Sequence, residues 1–206
     1  MAIHVALLRG INVGSAKRIA MFDLRALFED LGYRDVRTLL NSGNVVFAAT
    51  ASGSPGPRIE RALVGALGVP SRVITLGAGA LAAVVSKNPL VALADPPSRL
   101  LVSFLAAPDA RRLLASLARL DWGEERLAAG PGVAYAWCPG GILESPVQKA
   151  LGKVFGDGMT TRNWTTVLKL HVLASSPAPG MPTRGQSGPS KPSTPGRPGP
   201  SKGRKR

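Results

Sequence analysis

Three short polar clusters contain the residues of this chain that could bind a ligand. They are residues 9–14 (Arg-Gly-Ile-Asn-Val-Gly), residues 41–44 (Asn-Ser-Gly-Asn) and residues 161–164 (Thr-Arg-Asn-Trp). Each lies where an apolar segment begins or ends, the position at which folded chains often present binding groups. Guanidinium, amide and hydroxyl groups of this kind bind phosphate and carboxylate. The clusters therefore predict one site for a small anionic ligand.

The first cluster is a loop between two glycines. Gly10 and Gly14 bracket Asn12, so the loop can turn its backbone N–H groups inward, and Arg9 can add a charge-assisted contact to an anion. Lys17 adds a further positive charge nearby. The competing interpretation is a tight loop in which the Asn12 side chain binds its own backbone.

The second cluster, residues 41–44, has the composition of a tight hairpin turn, and a turn alone can explain it. It also has more amide and hydroxyl groups than a turn needs, so we predict that Ser42 and Asn44 contact the ligand. Ser42 is the most plausible nucleophile in the three clusters, but no His–Asp pair accompanies it in the sequence. No catalytic residue is therefore predicted.

The third cluster predicts the start of a helix, capped by Thr160 or Thr161. Arg162 and Asn163 would then lie in the first turn, where the helix dipole disfavours a cation. An anion opposite Arg162 would explain that position, and it can be a ligand or a buried acid between two halves of the protein. Trp164 either contacts the ligand or packs in the core.

Few residues are of the kinds that hold metals or transfer protons. The chain contains one cysteine, Cys138, and two histidines, His4 and His171, without the spacing of metal ligands. The acidic residues are scattered, and no pair is suited to acid–base catalysis. The sequence predicts no metal and no cofactor, and it leaves open whether the protein is an enzyme.

Hydrophobic periodicity predicts an α+β fold. The expected elements of the first half are strands at residues 3–8, 36–40, 45–48 and 73–76 and helices near residues 21–31 and 59–67. Their order, βαββαβ, is the ferredoxin-like pattern. Residues 1–87 are therefore predicted to form a ferredoxin-like subdomain, with one more helix at residues 78–87.

A Pro-rich joint at residues 88–98 separates this half from a second, smaller α+β half at residues 99–175. The second half is predicted to begin in the same way, with a strand, a helix and two strands around residues 130–132, but to end in the helix of the third cluster. Pro, Gly, Ser, Lys and Arg dominate the rest, which predicts a disordered tail at residues 176–206.

The net charge of +14 is unevenly distributed over the 206 residues. Seven basic residues and no acidic residue follow residue 176, so the tail supplies half of the excess. Such a tail predicts at most non-specific contact with nucleic acid. No apolar run approaches the roughly 20 residues of a membrane span, and no signal peptide is recognisable, which favours a cytoplasmic protein without membrane contact. The oligomeric state is left open.

The three clusters together resemble the motifs of one bacterial family, named domain of unknown function 1697. The matching segments are residues 8–14, 41–47 and 161–170, and the resemblance covers roughly residues 1–175. It implies no biochemical role, because none is established for the family. Where family members usually have two further basic residues, this chain has Ala16 and Ala20, with Lys17 and Arg18 beside them.

These observations favour a protein that binds a small anionic or nucleotide-like ligand near the junction of its two halves. The predicted contacts are Arg9, Asn12, Lys17, Ser42, Asn44, Arg162, Asn163 and Trp164. One alternative is an RNA-binding module, because ferredoxin-like sheets bind RNA through exposed aromatic side chains. Another is a protein-interaction module that uses the basic tail.

Overall fold

Two four-stranded antiparallel sheets and the helices that follow their strands make up the protein. The computed structural model describes residues 1–13, 18–50, 53–106 and 109–176. These residues belong to one unit, Met1–Ser176, and the α+β fold class is confirmed. Residues 177–206 lie outside the described residues, so the disorder of the tail stays a prediction.

The first half has the predicted ferredoxin-like topology, with the sheet order β2-β3-β1-β4. A further helix, α3 (Ala78–Ser86), follows β4 at once and confirms the predicted helix at residues 78–87. The elements before it are β1 (Ala2–Leu8), α1 (Met21–Asp30), β2 (Arg34–Leu39), β3 (Asn44–Ala49), α2 (Gly56–Leu67) and β4 (Val73–Gly77).

The second half repeats this topology in full, which corrects the sequence interpretation. Its sheet order is β6-β7-β5-β8, the same arrangement position by position, and α6 (Trp164–Ser175) follows β8 as α3 follows β4. The elements before α6 are β5 (Leu100–Leu105), α4 (Ala110–Leu117), β6 (Arg126–Gly130), β7 (Val133–Trp137), α5 (Pro146–Phe155) and β8 (Met159–Asn163).

The predicted helix start at Thr160 or Thr161 is wrong because residues 159–163 form strand β8, which pairs with β5. Alternation of apolar and polar residues did not reveal this strand, since two of its buried positions, Thr160 and Arg162, are polar. The β-branched threonines suit an extended backbone. The helix begins only at Trp164, after the side chain of Asn163 has capped it.

The two halves also agree at the level of single hydrogen bonds. The Leu8 N–H at the end of β1 donates to the Gly43 carbonyl (2.8 Å), and the Leu105 N–H at the end of β5 donates to the Gly132 carbonyl (3.0 Å). Gly43 and Gly132 both have φ of +72°, in the left-handed region that favours glycine. The same turn therefore closes against the same strand end in each half.

One residue further along, each half forms an equivalent strand-end corner. The Arg9 N–H donates to the Arg72 carbonyl (2.9 Å) in the first half, and the Ala106 N–H donates to the Gly158 carbonyl (2.8 Å) in the second. We call these pairs the first corner and the second corner. Their backbones correspond, but only the first corner carries long charged side chains.

Three hydrophobic cores hold the layers together. The central core combines inward-facing residues of both sheets, such as Leu7 and Val102, with α3 and α6. One outer core packs α1 and α2 on the first sheet, and the other packs α4 and α5 on the second. Leu24 and Phe28 recur at helical spacing on the buried face of α1, and Ile59 lies on the buried face of α2. These faces pack on the first sheet.

Alanine at Gly43 should destabilise the protein more than alanine at Gly32. Both glycines have positive φ, but a Cβ at Gly43 would lie 2.7 Å from Leu8 Cβ, whereas a Cβ at Gly32 would meet nothing within 4 Å. We expect Gly32→Ala to cost about 1–2 kcal/mol from backbone strain and Gly43→Ala to add about 1–3 kcal/mol from overpacking. Chemical denaturation measures both, and equal losses would contradict the turn geometry.

Candidate functional site

Arg162 lies in β8, and its side chain is buried (9% exposed) where β8 meets the first half. Its Nε donates to Asn44 Oδ1 (2.5 Å), and its Nη2 donates to the main-chain carbonyls of Leu8 (2.8 Å) and Ser42 (3.1 Å). Hydrogen bonds of the guanidinium therefore link the end of β8 to the end of β1 and to the turn between β2 and β3.

All donors of this guanidinium are in use. Nη1 of Arg162 donates to Thr160 Oγ1 and to the Thr161 carbonyl, both at 2.9 Å. A guanidinium has five N–H groups, and five hydrogen bonds to protein oxygens occupy them. Burial lowers the pKa of Arg162 to about 10, so the side chain remains protonated at neutral pH.

One of the two partners that the sequence suggested for Arg162, a buried acid, is not found among the described residues. The place of Arg162 in a strand removes the argument from the helix dipole. In the described part of the chain, no carboxylate lies within 4.0 Å of its guanidinium, and neutral oxygens hold the charge instead. Ligand binding by Arg162 remains a prediction, but no N–H of its side chain is left for a ligand.

Asn44 is the second member of this buried group. Its Nδ2 donates to the Leu39 carbonyl (3.0 Å) and to Ser42 Oγ (2.9 Å), while its Oδ1 accepts from Arg162. The amide thus closes the β2–β3 turn and completes the acceptors around the guanidinium. We call Ser42, Asn44, Thr160 and Arg162 the Arg162 cluster.

Asn163 and Trp164 have structural contacts of their own. The Asn163 Oδ1 accepts hydrogen bonds from the Thr166 N–H (2.9 Å) and hydroxyl (2.8 Å), which caps α6. Trp164 is buried in the central core. The structure therefore places neither residue beside Arg9 or Asn12.

Asn12 closes its own loop. With φ of +54°, it donates from Nδ2 to the Ile19 and Asn41 carbonyls (2.9 and 2.7 Å) and accepts from the Ile19 N–H at Oδ1 (2.8 Å). This is the competing interpretation stated for the sequence. Lys17, the further predicted contact in this loop, lies outside the described residues.

Arg9 reaches from the first corner to the second half. Its Nη1 donates to the Met159 carbonyl (2.6 Å), and its Nε lies 3.3 Å from Asp157 Oδ1. The side chain is 38% exposed, unlike that of Arg162. Of the predicted contacts in the described residues, Arg9 is therefore the charged one that a ligand could reach from solvent.

A crevice opens beside Arg9 between the two halves. One part, about 500 Å³, is lined by Arg9, Ser71, Arg72, Glu60 and Asp157 among others. A neighbouring part of about 360 Å³ shares the last three residues and extends to Leu105 and Ala106 of the second half. We call the two parts together the junction crevice.

Sequence reasoning missed Arg72 and its neighbours. Arg72 Nη1 lies 3.1 Å from Glu60 Oε2, and Glu60 Oε1 accepts from the Val73 N–H (2.8 Å). Ser71 Oγ donates to the Arg9 carbonyl (2.9 Å). A Ser-Arg pair before a strand is too common to mark a site, and only the pairing of β1 with β4 brings it beside Arg9.

The comparisons with known proteins agree with this fold. Residues 1–135 match the family described as protein of unknown function (DUF1697). The chain belongs to this family. It is also similar to the solved structure of the conserved bacterial protein SP0830 from Streptococcus pneumoniae, at 23% identity over 84% of this chain and 98% of that chain, with a TM-score of 0.68. No curated protein matches it, and the likeness between the structures extends to the fold alone.

Neither a metal cluster nor a spanning helix occurs in residues 1–13, 18–50, 53–106 and 109–176 of this DUF1697 protein. No three His, Cys, Asp or Glu side chains of these residues are placed to hold one metal ion. The helices of the same residues are too short or too polar to cross a membrane.

A second buried polar group supports α5. The Ser145 hydroxyl donates to Glu125 Oε2 (2.8 Å) and accepts from the Gln148 N–H (3.0 Å), and Glu125 also accepts from the Val147 N–H (3.1 Å). Cys138 Sγ lies 3.2 Å from this hydroxyl. Burial raises the pKa of the Cys138 thiol to about 11; the hydrogen bond with Ser145 partly opposes this shift, and the charge of Glu125 adds to it.

Cys138 should therefore be unreactive in the folded protein. At pH 8 a thiol with such a pKa is almost entirely protonated, and the thiolate is the reactive form. We expect Ellman's reagent to react roughly 100-fold more slowly, or slower still, with the folded chain than with the same chain unfolded in urea. Because the chain has one cysteine, both rates report the same group. Fast labelling without urea would contradict the buried position.

Replacing Arg162 with alanine should destabilise the protein strongly. The change leaves buried acceptors of Asn44, Leu8 and Ser42 without their donor, and we expect a loss of about 3 kcal/mol or more in the free energy of unfolding. Arg25→Ala is the control, because its ion pair with Glu29 is exposed and should contribute less than about 1 kcal/mol. Urea denaturation of both variants measures the difference, and a stable Arg162→Ala variant would refute this role.

Proposed function

We propose that this DUF1697 protein binds a small anionic ligand, such as a phosphorylated metabolite or a nucleotide, in the junction crevice. The proposal rests chiefly on the first corner, where Arg9 and Arg72 line the same crevice from paired strand ends. Their backbones are joined by one hydrogen bond of 2.9 Å, so the two side chains start from adjacent positions. Paired guanidinium groups suit the oxygens of phosphate or carboxylate.

The difference between the two corners supports this proposal. Positions equivalent to Arg9 and Arg72 carry Ala106 and Gly158 in the second half, and Ala106 lines the crevice together with Arg72. The small side chain of Ala106 therefore lines the crevice together with the two arginines of the first half. This asymmetry leaves space beside the two guanidinium groups, each of which is paired with one carboxylate of the crevice.

The existing partners of the two arginines are weak competitors for a ligand. Each ion pair joins a well exposed side chain to a less exposed one: Asp157 (82%) to Arg9 (38%), and Arg72 (63%) to Glu60 (25%). Exposed pairs of this kind contribute about 0–1 kcal/mol. A phosphate that bridges both guanidinium groups can therefore replace one or both carboxylates at little cost.

The dimensions of the crevice fit a small molecule. Its larger part, about 500 Å³, lies in the range of roughly 300–1,000 Å³ that is typical of ligand sites. Ser71 and the backbone of Gly10 add polar groups beside the arginines. No base or nucleophile is assigned, so the proposal is binding and includes no reaction.

The RNA alternative lacks its usual surface. Ferredoxin-like RNA-binding domains use the face of the sheet that their helices leave open. In this protein Val5, Leu7 and Val46 on that face are fully buried in the central core. The small-ligand proposal does not need that face, and any contact through the tail concerns residues outside those described.

Arg72→Gln tests the proposal, since the side chain of Arg72 is 63% exposed and, among the described residues, bonds only to Glu60. The experiment measures melting temperatures with pyrophosphate, citrate and AMP. We expect at least one of these anions to stabilise the wild type by mass action and to bind Arg72→Gln about tenfold more weakly or worse. Arg25→Gln, which alters another exposed ion pair, should bind like the wild type.

Two outcomes would contradict the proposal. One is that none of the three anions raises the melting temperature of the wild type. The other is that Arg72→Gln and Arg25→Gln respond to the anions equally, since that would place any binding outside the junction crevice.

A further inference from the structure

A second cavity opens at the opposite end of β5 and shares no residue with the junction crevice. Its volume is about 410 Å³. Arg99, Thr161 and Asn163 supply polar walls, and Leu101 and Ile142 supply apolar ones. These residues come from the start of β5, the loop after β7 and the end of β8.

Arg99 is the charged group of this cavity and differs from Arg9, Arg25 and Arg72 in its surroundings. It is half-buried. Among residues 1–13, 18–50, 53–106 and 109–176, no carboxylate lies within 4.0 Å of its guanidinium, whereas Arg9, Arg25 and Arg72 each have one. A partly desolvated cation without an anion favours an external one.

Gly141 gives this guanidinium its space. With φ of +95°, it lies in the left-handed region, and a methyl group at its Cα would overlap Nη1 of Arg99. The loop Cys138–Gly141 is closed by a hydrogen bond from the Gly141 N–H to the Cys138 carbonyl (2.9 Å). The Trp-Cys-Pro-Gly-Gly segment at residues 137–141 thus shapes one wall of the cavity.

Buried neighbours hold the polar wall in place. The Thr161 hydroxyl lies 2.8 Å from Ser103 Oγ and donates to Gln148 Oε1 (3.4 Å). Gln148 is 8% exposed, and its Nε2 has no hydrogen-bond partner among the described residues. The Oδ1 of Asn163 is used to cap α6, which leaves its Nδ2 as a donor at the cavity.

We propose that this cavity binds a small carboxylate that carries a short apolar group. Arg99 forms the bidentate contact to the carboxylate, Asn163 Nδ2 adds a hydrogen bond, and Leu101 and Ile142 contact the apolar part. A single guanidinium beside apolar walls suits a monoanion better than a polyphosphate. This site is separate from the junction crevice, and it gives the protein a second binding site for a different ligand.

Isovalerate and its neutral amide, isovaleramide, test this site on the full chain. In heteronuclear NMR spectra of the labelled wild type, isovalerate should shift the backbone amide signals of Gly141 and Asn163, and isovaleramide should not. Arg99→Gln should bind isovalerate about tenfold more weakly or worse. Arg111→Gln, an exposed arginine of α4, should bind like the wild type, and so should Arg72→Gln, which separates this site from the proposed function.

Three outcomes would overturn the proposal. They are the absence of shifts with wild type at about 10 mM isovalerate, well above a weak Kd of about 1 mM, equal shifts with the amide, and undiminished binding by Arg99→Gln. The comparison of acid and amide needs no variant. It therefore decides the question even if Arg99→Gln does not fold.

Discussion

The arrangement of the two halves depends on the buried guanidinium of Arg162. Taking a charge out of water costs several kcal/mol unless the protein replaces the lost hydrogen bonds. Arg162 regains them from neutral oxygens, of which those of Leu8, Ser42 and Asn44 belong to the first half. These oxygens lie around the guanidinium only because β1 ends at its observed position and the β2–β3 turn has its observed conformation. An asparagine suits position 44 better than an acid, because its Nδ2 also donates twice to close the turn.

The internal repeat explains where the two cavities are. Equivalent backbones recur in both halves, down to the hydrogen bonds at the ends of β1 and β5. The repeat dictates strands, turns and corners, but it leaves the side chains at those corners free to differ. The junction crevice lies beside two equivalent corners that differ in size and charge, with two arginines in one half and Ala106 and Gly158 in the other. The Arg99 cavity lies at the other end of β5, beside the loop that follows β7.

Sequence patterns predicted those helices and strands in which buried apolar residues recur at a regular spacing. In α1, buried Leu24, Leu27 and Phe28 follow helical spacing, and the turn at Gly43 has the residues that a positive φ requires. Strand β8 was not predicted, because a polar residue at a buried position breaks the alternation of apolar and polar residues. The burial of Arg162 is explained only by its contacts with the first half. The sequence did not predict the junction crevice for a different reason. Arg9 and Arg72 are 63 positions apart, and only strand pairing brings them together.

Hydrogen-bond capacity distinguishes the motif residues of this chain from the arginines on which the two proposals rest. The motif residues Asn12, Asn44 and Arg162 have every side-chain N–H engaged by protein oxygens. They stood out in the sequence because they belong to short polar clusters at the ends of apolar segments. Arg72 and Arg99 lie outside the three clusters, one in a weak exposed ion pair and the other beside no carboxylate in the described residues. To bind an anion, an arginine with free donors needs only its charge and a position at a cavity. Neither requirement produces a recognisable sequence motif. In this chain the side chains of Asn12, Asn44 and Arg162 therefore contribute to the scaffold, and the two proposals rest on arginines whose side chains have fewer protein partners.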